Sequence, residues 1–166
     1  NGIFRTSDTT TWITGAEAAS AGYENTFIKD FNNDGLISGG TYYQLLGDDG
    51  AVTLKWNSSH PGINDDSSAL WNVTAAKNNS SNFQVLMEGE GSKNGSNVII
   101  TTNENGIYSS NTEWMTDAET VSAGYENTFI KDFNNDGLIS GGNYYQVLGD
   151  NGAVTLKWNS SHPGIN

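Results

Sequence analysis

The feature that most constrains this chain is a long internal repeat. Residues 22–64 and 124–166 are identical at 40 of 43 positions, at an offset of 102 residues. Self-similarity at a fixed period indicates a fold assembled from successive copies of one unit. The three differences between the copies are Thr41 to Asn143, Leu45 to Val147 and Asp49 to Asn151.

The repeat unit is about 102 residues long, so we expect the chain to hold about 1.6 units. On this interpretation the chain is a window in a longer tandem array. Copying along a chain suits a stalk or a multivalent surface better than an active site, so we expect no enzymatic activity.

Charge and composition exclude several classes of function. Asp and Glu number 19 against seven Lys and Arg, which gives a formal net charge of −12. Nucleic acid is a poor partner for such a chain, because phosphate binding requires a cationic surface. Cys is absent, so disulfides and Cys-ligated metals are excluded. No apolar run approaches the roughly 20 residues that span a bilayer, so we expect no membrane insertion.

Strand signals dominate the rest of the pattern. Residues 42–46 and 51–56 flank the turn sequence Gly-Asp-Asp-Gly, and the second segment alternates apolar and polar residues. Residues 83–87 and 97–101 form a second predicted hairpin, and residues 103–106 a turn into a further strand. We therefore expect a mainly β fold of short-stranded antiparallel meander or sandwich modules, with one short helix per repeat.

The predicted helix runs from about residue 16 to residue 29, and its copy from about residue 118 to residue 131. Tyr23 and Phe27 are four residues apart and share a face, as do Tyr125 and Phe129. Gly22 weakens the helix by roughly 1 kcal/mol relative to Ala. The alternative is therefore a shorter helix that begins near residue 21 instead of residue 16.

The motif that carries chemistry directly follows this helix. Asp30, Asn32 and Asp34 are oxygen-bearing residues at alternate positions, and Gly35 and Ile37 follow them. This is the first half of an EF-hand-type calcium loop, in which the carbonyl of the seventh residue adds a ligand and the ninth residue can hold a water. The candidate ligands are Asp30, Asn32, Asp34, the Leu36 carbonyl and Ser38 in one copy, and Asp132, Asn134, Asp136, the Leu138 carbonyl and Ser140 in the other.

The second half of the loop departs from the EF-hand pattern. Thr41 or Asn143 stands where a bidentate Glu is expected, so a further carboxylate would come from elsewhere. Glu24 and Glu126 are the first candidates, with Glu17 and Glu119 behind them. The alternative is that Asp-Asn-Asp-Gly is a helix-terminating turn that binds no metal, since turns favour these residues for their own reasons.

Aromatic residues leave a second function open. The side chains of Trp12, Trp56 and Trp71 could form a platform for stacking on sugars, although Trp on an alternating strand more often belongs to the core. Sugar binding repeated along an array would gain from avidity.

A resemblance supports the repeat interpretation. Five motifs follow one another along the chain: Phe83 to Leu86, Asn105 to Ser110, Trp114, Tyr125 to Phe129 and Asp132 to Ile139. Together they resemble the tryptophan-rich Synechocystis species C-terminal domain family of bacterial surface proteins, although the Asp-x-Asn-x-Asp-Gly loop is shared with dockerins. Met87 stands where the family has Trp, and a second Trp is missing near Ile99. The resemblance implies an extracellular bacterial context and does not imply an enzyme. On the frame of this family, the resemblance implies that residues 1–41 are the end of one repeat, residues 42–141 one complete repeat, and residues 142–166 the start of another.

These observations predict a calcium-stabilised structural segment of a secreted or cell-surface bacterial protein, such as a stalk, filament or surface layer. Calcium would clamp the helix end to the strand that starts at Tyr42 or Tyr144 and so fix the angle between modules. The expected partners are neighbouring repeats or copies of the chain itself. The alternative is a multivalent carbohydrate-binding or adhesion module that uses exposed aromatic residues to bind glycans.

Overall fold

A computed structural model of the chain describes residues 12–149 and 152–157. The remaining residues of the outer two predicted parts of the chain lie outside the described ranges. The fold is mainly β, with antiparallel sheets and a few short helices, as predicted. The helices are α1 Gly15–Ser20, α2 Tyr23–Phe27, α3 Asp117–Ser122 and α4 Tyr125–Phe129.

Eleven strands are present among the described residues, in three sheets. None of the described helices is long and apolar enough to cross a bilayer. The strands are β1 Leu36–Ile37, β2 Gln44–Gly47, β3 Gly50–Thr53, β4 Trp71–Asn78, β5 Asn82–Gly89, β6 Ser96–Asn103, β7 Tyr108–Asn111, β8 Met115–Thr116, β9 Leu138–Ile139, β10 Gln146–Gly149 and β11 Gly152–Thr155.

The central sheet has the order β4-β5-β6-β7, and β8 also pairs with β6. Its β5–β6 hairpin pairs Phe83 with Thr102 and Leu86 with Ile99, in agreement with the predicted second hairpin. Strand β4 was not predicted, because its Ala-Ala-Lys segment has weak strand propensity.

Two small sheets are formed by equivalent residues of the two copies. In the first, β1-β2-β3, Leu45 pairs with both Leu36 and Val52. In the second, β9-β10-β11, Val147 pairs with Leu138 and Val154, which are the residues 102 positions later. The predicted hairpin between residues 42–46 and 51–56 is therefore present, with Asp48 and Asp49 in its turn.

The central sheet is buried on both faces. Along β5, Val85 and Met87 point to one face and Leu86 to the other, and all three are buried. A bulge between Val73 and Ala75 shifts the alternation of β4 by one residue. The continuous apolar runs of β5 and β6 follow from this arrangement, since a strand covered on both sides needs no polar face.

The first core lies between the central sheet and the β1-β2-β3 sheet. Leu45, Leu54 and Ile63 are fully buried there. Lys55 joins the two sheets, because its amide donates to the Gly106 carbonyl at 2.9 Å and its carbonyl accepts from the Tyr108 amide at 2.8 Å. The remaining buried members are Leu36, Val73, Ala76, Phe83, Val85, Met87, Val98 and Ile100.

The second core lies on the opposite face of the central sheet. Phe133 is buried against Ala75, Leu86 and Ile99, and the partly buried side chains of Met115, Val121, Tyr125 and Phe129 pack around them. Helices α3 and α4 carry most of these side chains. The central sheet is thus covered by strands of the first copy on one face and by helices of the second copy on the other.

The predicted single helix is divided into two in each copy. Residue 22 has a φ of 74° and residue 124 a φ of 81°, a backbone conformation that glycine adopts without strain. The helix therefore breaks at Gly22 and restarts at Tyr23, ending at Phe27 rather than at residue 29. Thr14 and Thr116 begin the first helix of each pair in a capping box with Glu17 and Glu119.

Candidate cation loop and its carboxylate clamp

The predicted loop side chains come together in the first copy. Asp30 accepts hydrogen bonds from the Asn33 amide at 2.6 Å and the Gly35 amide at 2.8 Å. Asp34 accepts from the Leu36 amide at 2.8 Å and from the Asn32 side-chain amide at 2.7 Å. Asp30, Asn32 and Asp34 therefore hold one tight turn, with their oxygen atoms directed toward its backbone.

The second copy repeats this turn. Asp132 accepts from the Gly137 amide at 2.8 Å, and Asp136 accepts from the Leu138 amide at 2.8 Å and from the Asn134 side chain at 2.9 Å. Asn135 adopts a positive φ of 56°, which Asn tolerates better than most residues. The same local sequence thus gives the same turn in two different surroundings.

A buried glutamate closes each loop. Glu24 is fully buried, and its carboxylate accepts from the Phe31 amide at 2.7 Å and from the Ser38 amide at 3.0 Å. The Ser38 hydroxyl lies 2.8 Å from the same carboxylate and 2.9 Å from the Ala19 carbonyl, so its single proton can serve either acceptor. Glu24 thereby ties the second and ninth residues of the loop to α2.

Glu126 makes the same clamp in the second copy. Its carboxylate accepts from the Phe133 amide at 3.0 Å, the Ser140 amide at 2.9 Å and the Ser140 hydroxyl at 2.6 Å. Glu126 is also fully buried. Since a buried carboxylate requires partners, this agreement between copies identifies the clamp as a built feature of the repeat.

The clamp favours an ionised glutamate in the first copy. Burial by itself raises the pKa of Glu24, but the hydrogen bonds from the Ser38 and Phe31 amides lower it by more. The pKa of Glu24 therefore lies below its ordinary value, and its charge is stabilised without a cation.

Other predicted ligands are engaged differently from the EF-hand pattern. The Ser38 and Ser140 hydroxyls contact the clamp glutamates. Glu17 and Glu119 cap their helices instead of contacting the loops. Each carboxylate accepts a hydrogen bond from the backbone amide three residues before it, at 2.7 Å and 2.8 Å. Direct ligation by Glu24 or Glu126, or by the Leu36 and Leu138 carbonyls, stays a prediction.

The donor set is therefore two carboxylates and one amide per loop. Among residues 12–149 and 152–157, no three Asp, Glu, His or Cys side chains form a group that could hold a metal. The Asp30, Asn32 and Asp34 oxygens still offer free lone pairs, because each carboxylate oxygen can accept more than one partner. Such a set fits a hydrated Ca²⁺ that keeps several waters, and it equally fits the alternative of a helix-terminating turn that binds no metal.

The environment of the first loop concentrates negative charge. Burial raises the pKa of Asp34 to about 6, against the hydrogen bond from the Leu36 amide, and the charges of Asp30 and Glu24 add to the rise.

The Asp34 carbonyl also accepts from the Ala76 amide at 2.7 Å. A Cβ at Gly35 would collide with the Ala76 carbonyl, so Gly35 allows the loop to reach β4.

A cavity of about 270 Å³ connects this loop to the second copy. Asp30, Asn33 and Asp34 line one side, and residues 128–130 at the end of α4 line the other. Lys77 also lines the cavity, so a positively charged side chain is already present near the loop. The loop of one copy and the helix of the next therefore meet at the β4 edge of the central sheet.

Trp56 and Trp71 do not form a flat platform, whereas Trp12, the third predicted member, is 92% exposed. Trp56 packs edge-on against Trp71 at an interplanar angle of 84° and against Tyr108 at 67°. Both Trp56 and Trp71 are partly buried on the first core, and so is Trp114. Rings at right angles cannot stack together on one sugar face, and this geometry agrees with the core assignment for Trp56 and Trp71.

No protein family, curated protein or solved structure matches this chain.

Proposed function

We propose that this chain is a calcium-stabilised structural segment of a secreted or cell-surface bacterial protein built from tandem repeats, as a stalk, filament or surface layer. Its role is to hold successive modules at a fixed angle. The cation would bind at the Asp30 and Asp132 loops.

The observation that carries this proposal is the packing of the predicted end of one repeat, described from residue 12 to residue 41, on the complete repeat that follows it. Leu36 pairs with Leu45 and is buried in the first core, and the Asp34 carbonyl accepts a hydrogen bond from the Ala76 amide. Burial of one unit's side chains against the next unit is typical of linear repeat proteins.

Calcium fits the proposal as a stabiliser of the loop between helix and strand. The loop contacts α2 through the Glu24 clamp and β4 through the Asp34 carbonyl. A cation bound to Asp30 and Asp34 would screen the repulsion between their charges, and binding to the folded state alone raises stability by linkage. At a calcium concentration 100 times the Kd, that gain is about 2.7 kcal/mol per site.

The test is calcium titration of EDTA-treated protein, followed by calorimetry and thermal unfolding. We expect two sites, one of which is lost in Asp30→Asn and the other in Asp132→Asn. Asp49→Asn is the matched control: it removes the same charge from an exposed hairpin turn, and the second copy already has Asn151 there. If calcium binds no better than in a double Asp30→Asn, Asp132→Asn variant, the loops are turns and the calcium part of the proposal is wrong.

A further inference from the structure

Within the part of the chain that the structure describes, no sheet covers the helix face of the first copy as the central sheet covers that of the second. Phe129 is partly buried against the central sheet, whereas Phe27, its equivalent, is 64% exposed. Tyr23 is exposed where Tyr125 packs on the second core, and Phe31 is partly buried where Phe133 is buried. Three equivalent aromatic side chains thus pack on the central sheet in the second copy and do not in the first.

The strand face of the second copy has the converse difference. Val52 and Tyr43 pack on the first core, whereas Val154 is 57% exposed and Tyr145 is also exposed. The backbone shows the same contrast. Gly35 lies against the Ala76 carbonyl, while a Cβ at Gly137 would have no neighbour within 4 Å. Each face is therefore the counterpart of a face that is covered elsewhere in this molecule.

We infer that both faces are docking surfaces for the central sheet of a neighbouring repeat. The α1–α2 face would receive a sheet surface like that of Ala75, Leu86 and Ile99. The β10–β11 face would receive one like that of Val73, Ala76 and Val85. The inference rests on the proposed repeat-built function and deepens it by naming the partner: a β sheet with the pattern of β4 to β7.

The central sheet of a second copy of the same chain cannot be this partner, because both of its faces are already covered. The partner must present a free face, as the sheet of an adjacent repeat does before its neighbour packs. The α1 surface also constrains one residue of that partner. Asn97 of β6 donates to Asp117 at 2.8 Å and Thr120 at 3.2 Å, but the equivalent positions in α1 are Gly15 and Ala18. A sheet that covers α1 would therefore find no side-chain acceptor there for an Asn at the Asn97 position.

The test is an extended chain in which residues 1–115 are followed directly by residues 14–166. Residue 14 is equivalent to residue 116, so this junction places a complete sheet before the exposed helix face. The inserted sheet carries Asn97→Val, and a second version keeps Asn97. 4-Fluorophenylalanine at position 27 reports exposure through the ¹⁹F shift between H₂O and D₂O, with position 129 as reference.

In the native chain we expect a large solvent shift at position 27 and a small one at position 129. The extended chain contains position 27 twice, and the relevant one lies after the inserted sheet. Its solvent shift should fall to roughly the value at position 129, and the fall should be more complete with Asn97→Val. Phe27→Ser should then destabilise the extended chain far more than the native chain. An unchanged shift at position 27, whether the inserted sheet is folded or not, overturns the inference.

Two controls separate this inference from the proposed function. The fluorine shift is measured in both EDTA and calcium, so a failure of calcium binding does not affect the docking result. Sedimentation of the native chain tests another occupant: if position 27 becomes shielded as the chain self-associates, the partner is a second copy and the inference is wrong.

Discussion

The two copies of the 43-residue repeat have almost the same sequence and very different surroundings. In the first copy the strands are buried and the helix face is exposed. In the second copy the helix face is packed on the central sheet, and Tyr145, Leu148 and Val154 of the strand half are exposed. The sequence therefore determines the local turn, clamp and pairing, while the neighbouring sheet determines which half of the repeat becomes core.

Some features do not depend on the neighbour. The Glu24 and Glu126 clamps have the same partners, and the two small sheets have the same register. Other features change with it: Asp34 is partly buried beside β4, and its equivalent Asp136 is exposed. Variants at equivalent positions can separate these two classes of contribution.

The largest expected difference is at the second core. Phe133→Ala should destabilise the chain by about 4 kcal/mol, because it removes a buried aromatic ring and leaves a cavity. Phe31→Ala, the same change in the first copy, should cost about 1 kcal/mol or less, since that ring is only partly buried and none of the described strands forms a sheet over it. Chemical denaturation of both variants measures the difference, and equal losses would show that the helix face gains nothing from the sheet.

The strand half should show the opposite ranking. Leu45→Ala should cost about 3 kcal/mol, because Leu45 is fully buried in the first core. Val147→Ala should cost less than about 1 kcal/mol at the partly buried equivalent position. Leu45→Val, which converts one copy to the other, is the matched control and should lie between them. A larger loss for Val147→Ala than for Leu45→Ala would contradict the comparison.

The clamp should be insensitive to the neighbour. Glu24→Gln and Glu126→Gln each replace an acceptor oxygen by an NH₂ group that faces backbone donors, and each should cost about 2 kcal/mol. Urea unfolding of the two single variants should give losses that agree within about 0.5 kcal/mol. Since Ser38 and Ser140 are the common partners, Ser→Ala at each position checks the hydroxyl part. A loss in one copy alone would mean that the clamp also depends on packing.

Local patterns predicted the fold better than they predicted the site. The hairpins at residues 83–101 and 42–56 were predictable because alternation and turn residues are local. Strand β4 was not, since Ala75 and Ala76 acquire their burial from both covering layers. The convergence of Asp30, Asn32 and Asp34 follows from their spacing. The clamp role of Glu24 does not, because Ser38 reaches it only after the loop has turned.

The smallest expected effect is at the helix caps, which are exposed in both copies. The Thr116 amide and hydroxyl lower the pKa of Glu119, and Thr14 does the same for Glu17. A lowered carboxyl pKa stabilises the folded chain at pH values above the ordinary pKa of 4.5. This contribution is lost as the pH falls through the lowered pKa. NMR titration should show both values below 4.5, and Thr116→Ala should raise that of Glu119 alone. Equal shifts at both glutamates would exclude a local cause.

Hydrogen exchange within the native chain tests the central claim most directly. Residues 22–40 and 124–142 have identical sequences, so their intrinsic exchange rates match and any difference reports the surroundings. NMR-detected exchange should be slower in residues 125–133 than in residues 23–31. After correction of the intrinsic rates for the two substitutions between these segments, exchange should also be slower in residues 43–54 than in residues 145–156. This reversal of sign within one repeat is the predicted result. Equal protection, or slower exchange throughout one copy, would contradict the account.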